Sequence, residues 1–122
     1  MLTKLIGDSG ETAACRYLKK CGYRILERNY KAVCNKVVGE IDIIAIKGDT
    51  VSFVEVKTRK SEDFGLPCEA VTKSKQQKII KTAYAYIEEK SLDASYSFDV
   101  IEVLMEGRTI KEIRHLANAF GL

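Results

Sequence analysis

Asp42, Glu55 and Lys57 are the residues of this sequence best suited by type and spacing to do chemistry. They lie in VGEIDIIAIKGDTVSFVEVKTR, residues 38–59, where Glu40, Asp42, Glu55 and Lys57 interrupt apolar runs at every second position. Gly48-Asp49 is a turn dipeptide between two β-rich runs, which predicts a hairpin of residues 38–47 and 50–58. With a two-residue loop Lys47 faces Thr50, and the same count sets Asp42 opposite Glu55 and Glu40 opposite Lys57. All four then project from one pleat, because strand side chains alternate. An odd loop would send the two carboxylates to opposite faces.

Opposed side chains on paired strands stand about 5 Å apart at Cβ, where two negative charges repel by roughly 3 kcal/mol at an effective dielectric near 20. That is a large cost for a domain stable by only about 5 to 15 kcal/mol. It can be offset in three ways: a proton on one carboxyl, neutralisation by Lys57 or another cation, or a hard divalent metal between the oxygens. The alternative is a solvated hairpin face on which Glu40 pairs with Lys57. Against it, Ile41, Ile43, Ala45, Val54 and Val56 make the opposite pleat apolar, and Ile44, Ile46, Val51 and Phe53 are apolar on the charged one. Paired charge at the end of a ribbon covered on both faces points to a site.

The elements that must position this ribbon are legible around it. Residues 9–22 read as a helix with Ser9 as cap, Glu11 near its positive end and Gly22 as stop. Its inward stripe is Gly7, Glu11, Ala14, Cys15, Leu18 and Gly22, so Glu11 either lifts its head into water or faces the hairpin. Residues 23–30 read as a strand and 31–36 as a loop. Residues 60–72, with Gly65 and Pro67, form the longest candidate loop, one suited to motion and function. Residues 73–90 are an amphipathic helix with Ile79, Ile80, Ala83, Tyr84 and Ile87 on one side and Lys75, Lys78 and Lys81 largely on another. A break at 91–95, a strand at 97–105, a turn at Glu106-Gly107 and a final strand at 109–115 complete the order. Helix, strand, hairpin, helix, hairpin predicts an α/β fold, a mixed central β-sheet flanked by helices, in a single domain over 1–122.

Length and composition agree with one core: 122 residues, 46% hydrophobic and 30% charged. No apolar stretch has the length of a membrane span, and MLTKLIGDSGE lacks the apolar centre of a signal peptide, so a cytoplasmic protein without a membrane partner is expected. Cys15, Cys21, Cys34 and Cys68 have neither zinc spacing nor a dense disulfide pattern, and His115 is the sole histidine; the thiols are expected to be reduced and packed. Net charge is +3, but residues 57–81 hold seven basic side chains against three acidic ones, whereas 82–106 hold six acidic ones against Lys90. One part of the chain is suited to a polyanion.

Asp42, twelve intervening residues and then Glu55-Val56-Lys57 resemble the Asp…(Asp/Glu)-x-Lys core of the PD-(D/E)xK nucleases, the restriction-endonuclease-like superfamily. With Gly10-Glu11, Ala14, Leu18, Gly22-Tyr23, Asn29-Tyr30, Gly39-Glu40-Ile41-Asp42, Phe53 to Arg59, Lys75-Gln76 and Phe98-Asp99-Val100, the chain from about Gly7 to Phe120 resembles the bacterial YraN family of predicted endonucleases. That family is similar to archaeal Holliday-junction resolvases. Two positions depart: Ile41 replaces the proline of the superfamily name, and Ser97 stands where arginine is expected before Phe-Asp-Val.

The resemblance implies a restriction-endonuclease-like fold and a divalent-metal-dependent endonuclease, using Mg²⁺ or Mn²⁺. Glu11, Asp42 and Glu55 would be metal ligands and Lys57 would stand beside the attacking water. Gln76 would approach from the second helix, and Arg59, Lys73, Lys75 and Lys78 would hold nucleic-acid phosphates. The expected partner is nucleic acid, DNA ahead of RNA and including branched or repair intermediates, with a homodimer by analogy to resolvases. The rival readings are a non-catalytic nucleic-acid-binding module on the same fold and a protein-interaction domain.

Overall fold

A computed structural model describes residues 2–34, 36–60 and 71–121, with side chains described within 9–33, 39–60 and 71–121. In chain order the elements are α1 (Leu2–Lys20), β1 (Arg24–Cys34), β2 (Lys36–Lys47), β3 (Thr50–Lys60), α2 (Lys73–Lys90), β4 (Ser95–Glu106) and β5 (Thr109–Phe120). The five strands form one sheet in sequence order. Every neighbouring pair is antiparallel except β3 and β4, which run parallel because α2 carries the chain back between them. The result is the expected mixed central sheet flanked by helices, an α/β architecture compatible with a restriction-endonuclease-like fold.

Each face of the sheet has its own core. Against α1, Ala14, Cys15 and Leu18 pack on Ile43, Ala45, Val54, Ile101, Val103 and Met105. Against α2, Ile79, Ala83 and Tyr86 pack on Ile41, Ile44, Val51, Phe53 and Val100. The central strands are therefore apolar on both pleats, as a strand buried on both sides must be. Cys15 is buried and Cys21 half-buried, both as free thiols. None of the described helices is long and apolar enough to cross a membrane.

The helix ends follow from local chemistry. Gly22 takes φ +93°, its amide donates to Lys19 O and that of Tyr23 to Leu18 O, which closes α1 in a Schellman motif. The Thr72 hydroxyl accepts from the Lys75 amide at the start of α2. At its end Ser91, at φ +50°, repeats the Schellman pattern, with Leu92 N donating to Ile87 O and both side chains in the α2 core. Two expectations are corrected. Ser9 is no cap but an exposed residue inside α1, which begins at Leu2. Residues 31–34 are strand rather than loop: β1 and β2 stay paired to Cys34 and Lys36, with Ala32 buried between exposed Lys31 and Val33 in strand alternation. The expected loop at Gly65 and Pro67 lies outside the described residues, as does the side chain of Cys68 and that of Cys34.

Candidate functional site

The hairpin turn forms as expected, and its rungs run from Lys47–Thr50 to Ile43–Val54. There the registered pairing of β2 with β3 stops. Two residues further on, the Val56 amide donates to Asp42 Oδ2 at 2.8 Å. A side-chain carboxylate has taken the place of a backbone carbonyl, so the ribbon opens into a fork with Asp42 in the gap.

A backbone irregularity stands level with it, one strand away. Asn29 on β1 stands level with Asp42, between the registered pairs Arg28–Ile43 and Tyr30–Ile41, and has φ +53°. A left-handed residue inside a strand reverses its alternation, and asparagine is among the few side chains that accept this conformation at small cost. Both strands change faces at this rung. Arg28 reaches Thr12 on α1 and Ile43 packs in the α1 core, whereas Tyr30 reaches Glu89 on α2 and Ile41 packs in the α2 core. The expected opposition of Asp42 to Glu55 and of Glu40 to Lys57 is thus corrected: neither is a ladder pair. Glu40 is exposed and registers with Lys31, while Lys57 registers with Glu102 on β4.

The fork nevertheless gathers the carboxylates. Burial, then the charge of Glu55 and of Glu11, pushes the Asp42 carboxyl up to about 7, against the lowering effects of the Val56 amide and Lys75. Glu55 is only 6% exposed at its side chain, and its Oε1 lies 2.5 Å from Lys75 Nζ. The Lys75 ammonium is held above its ordinary value by that bond to Glu55, with Asp42 and Glu40 adding to the effect. Four carboxylates, Glu11, Glu40, Asp42 and Glu55, therefore act on this fork and one ammonium is bound among them.

Two glycines set the helices that deliver these groups. A Cβ on Gly10 would strike Thr58 Oγ1, so α1 lies directly on β3 and places the next residue, Glu11, beside the fork. A Cβ on Gly39 would meet the Lys78 carbonyl oxygen at 2.9 Å and also Thr82 Oγ1, so the α2 backbone lies directly on β2. Tyr30 pins the outer side of α2 through Glu89 at 2.7 Å and an edge-on ring contact with Tyr86.

Of the residues expected to do chemistry, Glu11, Asp42 and Glu55 share one electrostatic environment. Glu11 is tethered by Arg28 at 3.9 Å. Lys57 is half-buried, on the pleat of Glu55 one turn of alternation along. Among the described residues no three His, Cys, Asp or Glu side chains converge closely enough to cage a metal ion. The donor set that fits a hard divalent cation is the Asp42 and Glu55 pair: oxygen ligands, largely buried, and already counter-charged by an ammonium. Of the expected phosphate binders, Lys73 and Lys78 are exposed on α2. Lys75 is held by Glu55 instead, and Arg59 is held by buried Glu102 at 2.7 Å. Gln76 is anchored through its side-chain amide, which donates to Val71 O at 2.8 Å.

Sequence reasoning missed Asn29, whose signal was an asparagine inside a strand pattern, and a buried network around Asp99. Ser97 and the Asn118 amide bond one oxygen of Asp99, and His115 Nε2 lies 2.7 Å from the other. Burial alone would raise the Asp99 carboxyl, but His115, Ser97 and Asn118 together hold it below its ordinary value. Serine and histidine both bind the carboxylate here rather than each other, so this is a clasp between β4 and β5 and not a nucleophilic triad. Ser97, in the place where arginine was expected, belongs to that clasp.

A family model described as uncharacterised protein family UPF0102 matches residues 10–103. A UPF0102 protein of Clostridium acetobutylicum is 48% identical over 123 residues, covering 99% of this chain and 98% of that protein. One from Alkaliphilus metalliredigens is 46% identical over 120 residues, covering 98% of this chain and 100% of that protein. One from Geobacter metallireducens is 45% identical, covering 98% and 94%.

Proposed function

The chain belongs to the uncharacterised protein family UPF0102, and from that premise we propose that it is a divalent-metal-dependent nuclease of the restriction-endonuclease-like, PD-(D/E)xK class, cutting phosphodiester bonds of nucleic acid. The observation that carries this reading is the fork itself: Asp42 turned out of its ladder, raised to about 7 by burial and Glu55, beside a buried Glu55 that has bound the nearest ammonium. A purely structural ribbon gains nothing from such an arrangement, since continued pairing would have satisfied the same backbone groups at lower cost.

Asp42 and Glu55 are the residues that would hold Mg²⁺ or Mn²⁺. Such an ion would supply Lewis-acid polarisation of a phosphate oxygen and activation of water near neutral pH. The Val56 amide fixes the orientation of Asp42, leaving its Oδ1 for a ligand. Glu11 adds negative charge from α1, and Arg28 holds it in place. The role assigned to the Lys57 ammonium is to stabilise negative charge that develops on the phosphate oxygens. Lys73 and Lys78, exposed along α2, supply salt-dependent affinity for backbone phosphates.

The test is a cleavage panel of branched, flapped, single-stranded and duplex DNA and RNA with Mg²⁺ or Mn²⁺, with Glu55→Ala as control. The reading predicts divalent-dependent cleavage of at least one substrate by the natural chain and none by the variant. Binding without cleavage across the panel would replace it with the non-catalytic binding module.

A further inference from the structure

Lys75 is bound more tightly into the fork than a surface phosphate ligand needs to be. Its ammonium lies 2.5 Å from Glu55 Oε1, on a carboxylate 6% exposed, while its own side chain is 51% exposed. Asp42 and Glu40 act on the same ammonium. The half-exposed stem leaves Lys75 room to withdraw toward solvent, whereas Glu55 is fixed on a central strand and Asp42 is fixed by the Val56 amide. The carboxylates stay and the cation can leave.

Resting on the metal-dependent reading above, we propose that Lys75 is the built-in counter-cation of the fork and is exchanged for the divalent ion: the ammonium and the metal compete for Glu55. Without metal, the ion pair offsets part of the repulsion between Glu55 and Asp42. When a divalent cation takes the Glu55 carboxylate, it draws off the negative charge that holds the ammonium and repels it, so the half-exposed Lys75 side chain swings outward. The exchange makes metal affinity a difference between two interactions, weaker than the same carboxylates would show without a resident cation. The requirement is for a positive charge on a flexible stem; Lys75→Arg keeps a competing charge and Lys75→Met keeps only the stem.

The experiment is calorimetric titration of the full chain with MnCl₂, comparing the natural protein with Lys75→Met and Lys75→Arg, each first checked for an unchanged thermal transition. The exchange predicts that Lys75→Met binds Mn²⁺ tighter by about two- to fivefold, the scale of one partly exposed ion pair removed from competition, and that Lys75→Arg stays close to the natural protein. Equal or weaker Mn²⁺ binding by Lys75→Met overturns the exchange and leaves the metal site standing. Absence of Mn²⁺ binding in all three proteins sinks the metal reading itself, and the exchange with it.

Discussion

At the scale of single residues the account depends on one backbone angle and one carboxyl. Asn29 holds φ +53° level with Asp42, at the rung where both strands change faces. A β-branched residue cannot take that angle without strain, while glycine takes it freely. Asn29→Val is therefore expected to lose about 1 to 2 kcal/mol of stability in urea unfolding, and Asn29→Gly much less. The amide signal of Val56, which reports its bond to Asp42, should shift in Asn29→Val and stay near its natural position in Asn29→Gly. Asp42 carries a second expectation through its proton. Unfolded, this carboxyl ionises near 3.8; folded, burial and Glu55 keep it protonated up to about 7. Between those values the folded chain binds more protons than the unfolded one, so the residue's contribution to stability falls as pH rises and is fully unfavourable above about 7. Asp42→Asn keeps the acceptor for the Val56 amide and removes the ionisation. Its stability relative to the natural chain should climb as pH is raised through that window, measured by urea denaturation at a series of pH values without divalent ions. A flat difference across the window would show that Asp42 ionises normally in the folded chain. Neither residue's behaviour could be read from the sequence in full: the two carboxylates and their even loop were legible, but the pairing that put them in opposition assumed an unbroken ladder, and a single left-handed asparagine is invisible to alternation counts.

At the scale of elements, the site exists because two helices approach the sheet at glycines. Gly39 lets the α2 backbone touch β2, and an added methyl would meet the Lys78 carbonyl, a backbone atom that cannot rotate away. Gly39→Ala is expected to cost about 1 to 3 kcal/mol through overpacking, seen as a lowered urea midpoint with an unchanged slope. A cost below a few tenths of a kcal/mol would mean that α2 docks elsewhere. The elements themselves were largely legible. The bounds of α2 at Lys73 and Lys90 and the Gly48-Asp49 turn stand where periodicity and turn chemistry put them, while the second turn falls one residue later than expected, at Gly107-Arg108, with Glu106 ending β4 opposite Thr109. What was not legible is how far strands run when their ends are polar: β1 continues past Tyr30 through Lys31, Ala32 and Val33, because pairing with β2 rather than an apolar pattern holds it there. Helix α1 likewise starts before Ser9, whose capping chemistry goes unused. The ion pairs of Arg59 with Glu102 and of Lys75 with Glu55 were not legible for a related reason, since only the folded chain brings those carboxylates to them.

At the scale of the whole molecule, a mixed five-stranded sheet between two helices brings Glu11 from the first tenth of the chain, Asp42 and Glu55 from its middle and Lys75 from the second helix to one open end of a hairpin. Charge follows the same division. The exposed cations Lys73 and Lys78 flank the fork on α2, while Glu102 and Asp99 are buried on β4 in pairs of their own. On the proposed reading, the surface near the site would attract a polyanion while the fork itself would repel one until a metal is bound. On that reading, removing a fork carboxylate should separate nucleic-acid binding from cleavage. The most direct measurement is a paired assay of Asp42→Ala against the natural chain on one branched DNA, with binding followed by gel shift and cleavage followed with Mn²⁺. The account predicts that the variant loses divalent-dependent cleavage while binding DNA as tightly as the natural chain or more so, because a repelling charge is gone. Undiminished cleavage by Asp42→Ala would contradict it.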